Sequence, residues 1–145
     1  MSARYTGVAV STGDGRAAGH ARTDDGLLDL DLVLPPEMGG PGGATNPEQL
    51  FAAGWASCFH SALKTVAART GRLIVDSVVV AAVQLHSTAD GRLTLSAALH
   101  VDVSGVGQVA AEELALAAHA TCPYSVATRG NVPVSVTVRV GERLQ

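Results

Sequence analysis

Residues 45–60 have the sequence TNPEQLFAAGWASCFH, and this stretch decides the fold. Asn46 is a favourable helix cap and Pro47 suits the first helical position. The helical pattern continues to Arg69, which predicts a helix of roughly 24 residues and about 36 Å. Because residues 50–63 are apolar nearly all round, this helix must be covered on several sides. We expect a second subunit to supply part of that cover.

Short strands are predicted on both sides of this helix. Before it, Asp14-Gly15 and Asp25-Gly26 mark turns between three strands. After it, alternating apolar residues predict two strands, a second helix and a last strand. The predicted ranges are the strands Tyr5–Val10, Arg16–Arg22, Leu28–Leu34, Val78–His86, Leu93–Val103 and Val132–Val140, and the helix Gln108–Thr121. The order β-β-β-α-β-β-α-β indicates a single α+β domain over residues 1–145, with largely antiparallel sheets.

The composition excludes several classes of function. With 145 residues, of which 47% are apolar and 16% charged, the chain can form a globular core. The net charge is −3 and no block of basic residues occurs, so nucleic acid is not an expected partner. The N-terminus has no apolar leader and the apolar run Leu50–Leu63 is too short to span a bilayer, so we expect no membrane association and a cytoplasmic location. The five histidines are scattered, which predicts no metal site.

Cys58 lies in the middle of the predicted helix, among apolar residues. Most such cysteines only pack, and burial raises the pKa of a thiol. A nucleophilic role requires a nearby cation, and arginine suits it because it stays charged. Glu48 could hold that arginine in place, although an acidic residue in a first helical turn is also ordinary. By charge alone, nine arginines are eligible: Arg4, Arg16, Arg22, Arg69, Arg72, Arg92, Arg129, Arg139 and Arg143.

Cys122, the second of the two cysteines, has a different setting because Pro123 ends the preceding helix beside it. A sulfur at such a break can move, as a cysteine must when it condenses with a sulfenic acid to form a disulfide. Cys58 lies 64 positions earlier, so the fold must bring the two sulfurs together. Two unrelated packed cysteines explain the composition equally well. Trp55 and Tyr124 are expected to fill space or to line a pocket, and His60 is expected to pack or to face a partner subunit.

Two motifs decide between these possibilities. NPEQLFAAGWASC (residues 46–58) and CPYSVATRGN (residues 122–131) closely resemble motifs of the organic hydroperoxide resistance proteins, one branch of the Ohr/OsmC peroxidase family. The resemblance extends over nearly the whole chain. It implies an OsmC-like α+β fold with a long central helix, in an intertwined homodimer. It also implies a thiol peroxidase that reduces organic hydroperoxides, including those of fatty acids, to alcohols.

The resemblance also implies roles for four residues. Cys58 matches the peroxidatic cysteine, which becomes a sulfenic acid, and Cys122 matches the resolving cysteine, which closes the Cys58–Cys122 disulfide. Arg16 matches the arginine that stabilises the thiolate and polarises the peroxide. Glu48 matches the acidic residue that orients this arginine. Recycling is implied to come from dihydrolipoyl groups on a lipoylated protein, with no bound metal, haem or flavin.

Two departures from the family motifs bear on the substrate pocket. Val126 stands where a polar residue is common, and Trp55 stands where a tyrosine is common.

Three further functions compete with the main interpretation. The OsmC branch, with similar chemistry in osmotic stress, is the runner-up. The second competing function is a redox-sensing module with little turnover. The third is a structural dimer whose cysteines only pack. Rapid turnover with a lipoyl reductant would exclude the sensor, and failure of Cys58 to react with peroxide would favour the structural dimer.

Overall fold

The computed structural model describes residues 1–141, and the chain forms two compact units, Met1–Leu50 and Phe51–Gln145. The first unit holds a three-stranded antiparallel sheet. In spatial order its strands are β1 (Ala9–Gly13), β2 (Ala18–Thr23) and β3 (Asp29–Val33). The three strands predicted before the long helix are therefore present. The single domain predicted over residues 1–145 stays a prediction.

The two Asp-Gly turns connect these strands, as predicted. Gly15 (φ +60°) and Gly26 (φ +74°) adopt the left-handed backbone conformation that favours glycine. The Asp14 N–H donates to the Ala18 carbonyl at 2.9 Å and closes the first turn. Arg16 therefore lies in a turn and not at the start of a strand.

The position predicted for the first strand is wrong. The sequence suggested Tyr5–Val10, whereas β1 covers Ala9–Gly13. β2 ends at Thr23, opposite Ala9, so residues 5–8 extend past the ladder. The turn geometry sets this register, and β1 is exposed along its whole length. An exposed strand needs no apolar alternation, which is why the apolar pattern located it poorly.

The second unit packs helices against another three-stranded sheet. Strand β4 (Ser77–Ser87) is antiparallel to β5 (Leu93–Val103), and β6 (Val134–Val140) is parallel to β5. The bounds predicted for β5 are confirmed. A parallel pair requires a crossover connection, and two helices supply it: α2 (Gln108–Thr121) and α3 (Pro123–Thr128).

The long helix, α1, covers Pro47–Arg69 and runs from the first unit into the second. The Asn46 Oδ1 accepts the Gln49 N–H at 2.9 Å, which confirms the predicted cap. In the second unit, one face of α1 is fully buried, with apolar side chains from β5 and α2 in the same core: Trp55, Phe59, Leu63, Leu99 and Leu114. Burial of such side chains contributes about 1.5–3 kcal/mol each.

The opposite face of α1 carries small exposed residues, including Ala53, Ser57 and Ser61. The second subunit expected to cover this helix stays a prediction. Within residues 1–141, no helix combines the length and the apolar character needed to cross a bilayer. The fold class is α+β with largely antiparallel sheets, as predicted, and β5–β6 is a parallel pair within it.

Candidate active site

The structure brings the two cysteines of the chain together. Cys58 lies in the middle of α1 and is half-buried, and Cys122 is fully buried. Both are free thiols, and Cys122 lies near enough to Cys58 to raise the pKa of the Cys58 thiol. Because 64 positions separate them in the sequence, this proximity depends on the packing of α2 and α3 against α1.

Cys122 occupies the junction between α2 and α3. Its backbone (φ −60°, ψ 122°) is not helical, although its N–H still donates to the Ala118 carbonyl at 2.7 Å. Pro123 then occupies the first position of α3, where its missing N–H and its preset φ are favourable. The predicted break in regular structure beside Cys122 is confirmed. The helix α3 that follows it was not predicted.

Burial raises the pKa of the Cys58 thiol, and the neighbouring Cys122 raises it further. The backbone N–H of Tyr124 acts in the opposite direction, because it donates a hydrogen bond to the Cys58 sulfur and favours the thiolate. The sequence correctly predicted that burial alone makes this thiol less reactive. It did not predict a backbone donor from α3.

A buried anchor holds α3 against α1. The Trp55 Nε1–H donates to the Ser125 Oγ at 3.1 Å, and both side chains are fully buried. The Phe51 ring contacts the rings of Trp55 and Tyr124, with centroids 5.4 and 6.1 Å apart. Gly54 faces the same Tyr124 ring, and a Cβ at this position would lie 3.1 Å from its Cε2. These contacts set the position of the Tyr124 N–H.

Sequence reasoning expected Trp55 and Tyr124 only to line a pocket or to fill space, and it missed Gly54 and Ser125. One signal was available, because a buried indole N–H requires an acceptor. The departure from the family pattern at Trp55 therefore has a structural consequence. The indole side chain reaches into α3 and forms a hydrogen bond there.

His60 is packed and faces away from the cysteines. Its Nε2 and the Ser77 Oγ on β4 share a hydrogen bond of 2.7 Å. Burial lowers the pKa of His60, and the positive charge of Lys64 lowers it further. The prediction that His60 is a packed polar residue is confirmed.

Arg16 and Glu48 form a bidentate ion pair within the first unit. The Arg16 Nη1 and Nη2 each donate to a Glu48 carboxylate oxygen at 2.7 Å. The hydrogen bond with Arg16 lowers the pKa of Glu48, and the same bond raises the pKa of Arg16. Glu48 also lies in the first turn of α1, where the helix dipole favours a negative charge. The Arg16–Glu48 pair is present, and its role at Cys58 stays a prediction. Of the nine arginines eligible by charge, Arg143 lies outside the described residues.

Comparison with known proteins then decides the family. Residues 40–137 match the family model described as OsmC-like protein. The chain belongs to the OsmC-like family. It is 43% identical over 129 residues to organic hydroperoxide resistance protein OhrB of Bacillus subtilis, a match that covers 88% of this chain and 94% of that protein.

Solved structures of OsmC-like proteins agree with this assignment. An organic hydroperoxide resistance protein from Legionella pneumophila superposes with a TM-score of 0.91 at 47% identity, covering 96% of this chain and all of that one. A related protein from Vibrio cholerae, with captopril bound in one of its active sites, gives a TM-score of 0.87 at 41% identity. That match covers 95% of this chain and 94% of the Vibrio chain. The resemblance inferred from the two cysteine motifs, and the OsmC-like fold it implied, are both confirmed.

Proposed function

We propose that this chain is a cysteine-based peroxidase that reduces organic hydroperoxides to alcohols. One observation carries the proposal: the only two cysteines of the chain lie close together in the fold, although they are far apart in sequence. A cysteine pair that only packed would not need to meet. The names of the relatives, organic hydroperoxide resistance proteins, support the same substrate class. The captopril in the Vibrio protein's active site also supports a site that admits organic ligands.

In the first step, the Cys58 thiolate attacks one oxygen of the hydroperoxide O–O bond. An S–O bond forms and the O–O bond breaks, so the sulfur is oxidised to a sulfenic acid. The other oxygen leaves with the bonding electron pair, takes up a proton and becomes the alcohol. The peroxide is thereby reduced by two electrons.

In the second step, the sulfur of Cys122 attacks the sulfenic sulfur of Cys58. The S–S bond forms, and the hydroxyl group of the sulfenic acid leaves with a proton as water. The proximity of Cys122 to Cys58 supports this step, because the fold already brings the two side chains together. A dihydrolipoyl dithiol of a lipoylated protein then reduces the disulfide by thiol exchange and becomes a cyclic disulfide itself.

We assign to Arg16 the stabilisation of the Cys58 thiolate and the polarisation of the peroxide. A charged group is needed, because burial disfavours the thiolate of Cys58. A guanidinium cannot release its proton, and two hydrogen bonds to Glu48 restrain its orientation. Glu48 is then a positioning residue. The homodimer implied by the resemblance and the cytoplasmic location expected from the sequence belong to the same proposal.

The test is steady-state NADH oxidation with lipoamide, lipoamide dehydrogenase and either cumene hydroperoxide or hydrogen peroxide. We expect rapid lipoamide-dependent turnover that prefers the organic peroxide. Cys58→Ser should abolish turnover, whereas Cys122→Ser should allow a single oxidation of Cys58 and block disulfide formation. Ser57→Ala, an exposed neighbour on α1, is the control and should keep wild-type rates.

Three results would contradict the proposal. Turnover by Cys58→Ser would exclude this residue as the nucleophile, and normal multiple turnover by Cys122→Ser would exclude a resolving role. A protein whose two thiols form a disulfide with peroxide but turn over slowly with lipoamide would be a redox sensor.

A further inference from the structure

His20 on β2 lies between two carboxylates of β3. In the antiparallel register His20 is directly opposite Asp31, and Asp29 lies two residues away on the same face of β3. The His20 Nδ1 and the Asp31 Oδ1 are 2.8 Å apart, and the His20 Nε2 is hydrogen-bonded to the Asp29 Oδ1. Each nitrogen of the ring therefore joins β2 to a different carboxylate of β3.

This arrangement requires a protonated His20. A neutral imidazole has one N–H and one lone pair, so one of its nitrogens would face a carboxylate with no proton between them. In the imidazolium both nitrogens donate. The hydrogen bond with Asp31, followed by that with Asp29, raises the pKa of His20. His20 therefore keeps its charge at pH values at which an ordinary histidine is neutral, and it loses this charge when the pH rises further.

The other charged groups around the His20 ring belong to Arg22 and Asp24 as well as to β3. Arg22 lies on the same face of β2, and its Nε is 3.6 Å from the Asp29 Oδ2. Asp24, in the turn after β2, lines the same surface pocket as His20. The side chains that β1 adds to this pocket are the uncharged Val10 and Thr12. Because imidazole ordinarily titrates near neutral pH and carboxyl and guanidinium groups do not, His20 is the pH-responsive group of this cluster.

The strands that His20 joins also determine where Arg16 and Glu48 lie. Arg16 is in the turn that leads into β2. β3 is paired with the segment that leads into α1, because the Asp31 carbonyl accepts the Thr45 N–H at 3.2 Å and the Val33 N–H donates to the Thr45 carbonyl at 3.1 Å. Glu48 follows Thr45 by three residues. The pairing of β2 with β3 therefore sets the position of Arg16 relative to Glu48.

Opposite charges on neighbouring strands are common on exposed sheets, where they add modest stability. That effect alone predicts no influence of His20 on Arg16. We propose that His20 is a pH-sensitive positioning residue, which in its protonated form holds β2 against β3 and keeps Arg16 aligned with Glu48. Because pairing raises the pKa of His20, its stabilisation is complete below the ordinary histidine pKa and is lost as pH rises through the folded pKa. Only the expected effect on Cys58 rests on the proposed peroxidase function.

NMR pH titrations test the positioning role without any turnover. The pKa of His20 should lie above the ordinary value of about 6.5 in wild type and should fall toward it in Asp31→Asn. Pairing with Arg16 lowers the pKa of Glu48, so in His20→Gln the carboxyl carbon of Glu48 should titrate closer to its ordinary range. His86→Gln removes an exposed histidine that is hydrogen-bonded to Ser96 on the other sheet, and it is the matched control. An ordinary pKa for His20, or the same pKa of Glu48 in His20→Gln as in wild type, would overturn the proposal.

The rate of Cys58 oxidation by cumene hydroperoxide, measured by stopped flow, tests the consequence for the chemistry. His20→Gln should be slower than wild type by about threefold near pH 6, an effect of the size that exposed ion pairs produce. Near pH 9 the two should react equally fast, because wild-type His20 is then neutral. His20→Lys keeps a positive charge at both pH values, so it should match wild type near pH 6 and exceed it near pH 9.

An Arg16→Ala background shows whether His20 acts through Arg16. In that background His20→Gln should not slow Cys58 oxidation further, and an equal loss with and without Arg16 would exclude a positioning role. If the peroxide does not oxidise Cys58 in wild type, the proposed function fails. The titrations of His20 and Glu48 alone then still decide whether His20 aligns the ion pair.

Discussion

Ser125→Ala tests the buried anchor between α1 and α3. This substitution removes the acceptor of the Trp55 Nε1–H, a donor that is fully buried. Leaving such a donor unsatisfied costs about 1–3 kcal/mol. We therefore expect the free energy of unfolding to fall by about 2 kcal/mol. For a chain of 145 residues this corresponds to a decrease in Tm of about 6 °C.

The assay for Ser125→Ala is a double-mutant cycle with Trp55→Phe, measured by urea unfolding. Once the indole is absent, the loss of the Ser125 hydroxyl should cost less, and the coupling free energy should be about 1 kcal/mol. Ser135→Ala is the control, because Ser135 is exposed on β6 and its removal should change stability by less than about 0.5 kcal/mol. A coupling below about 0.3 kcal/mol would refute the hydrogen bond as the source of the effect.

Ser125→Ala should also change the chemistry of Cys58. The anchor positions α3, and the Tyr124 N–H of α3 lowers the pKa of Cys58. If the anchor loosens, the pKa of Cys58 should rise and less thiolate should be present at neutral pH. The rate of Cys58 alkylation by iodoacetamide, measured against pH, should then fall severalfold near pH 7. An unchanged alkylation profile would show that α3 is held independently of this hydrogen bond.

Two further predictions concern Gly54 and Glu48. Gly54→Ala should raise the free energy of unfolding by about 1 kcal/mol through helix propensity, but only in a Tyr124→Ala background. In the wild-type background the new methyl group would lie about 3.1 Å from the tyrosine ring. Equal stabilisation in both backgrounds, measured by urea unfolding, would contradict this. Glu48→Gln should destabilise by only about 0.5–1 kcal/mol at pH 7, since both partners of the Arg16–Glu48 pair are partly exposed and solvent screens their interaction. Because pairing lowers the pKa of Glu48, the stabilisation is complete above the unfolded pKa near 4.3 and is lost as pH falls through the folded pKa. The difference in unfolding free energy between wild type and Glu48→Gln should therefore shrink below about pH 4, and a pH-independent difference would argue against the ion pair.

Much of the candidate site could be anticipated from two short motifs. The Asn46 cap, the break at Pro123 and the packed setting of Cys58 all depend on residues close together in sequence. The pairing of Arg16 with Glu48 was implied by the family resemblance and is present, although charge alone left nine arginines eligible. The Tyr124 N–H could not be anticipated in the same way. It is a backbone group, and its donation depends on where α3 packs.

Local sequence patterns account for the long helix, the Asp-Gly turns, strand β5 and the two cysteine motifs. These features follow from local rules: capping, proline geometry, turn residues and apolar alternation act within a few positions. Which distant groups come together depends instead on tertiary packing. The Trp55–Ser125 bond joins residues 70 positions apart, and the Arg16–Glu48 pair joins residues 32 positions apart. The proximity of Cys58 and Cys122 has the same origin. Such contacts depend on strand register and on the packing of α1, α2 and α3. No local sequence pattern encodes the register or the packing, because many chain paths close loops of this length at similar entropic cost.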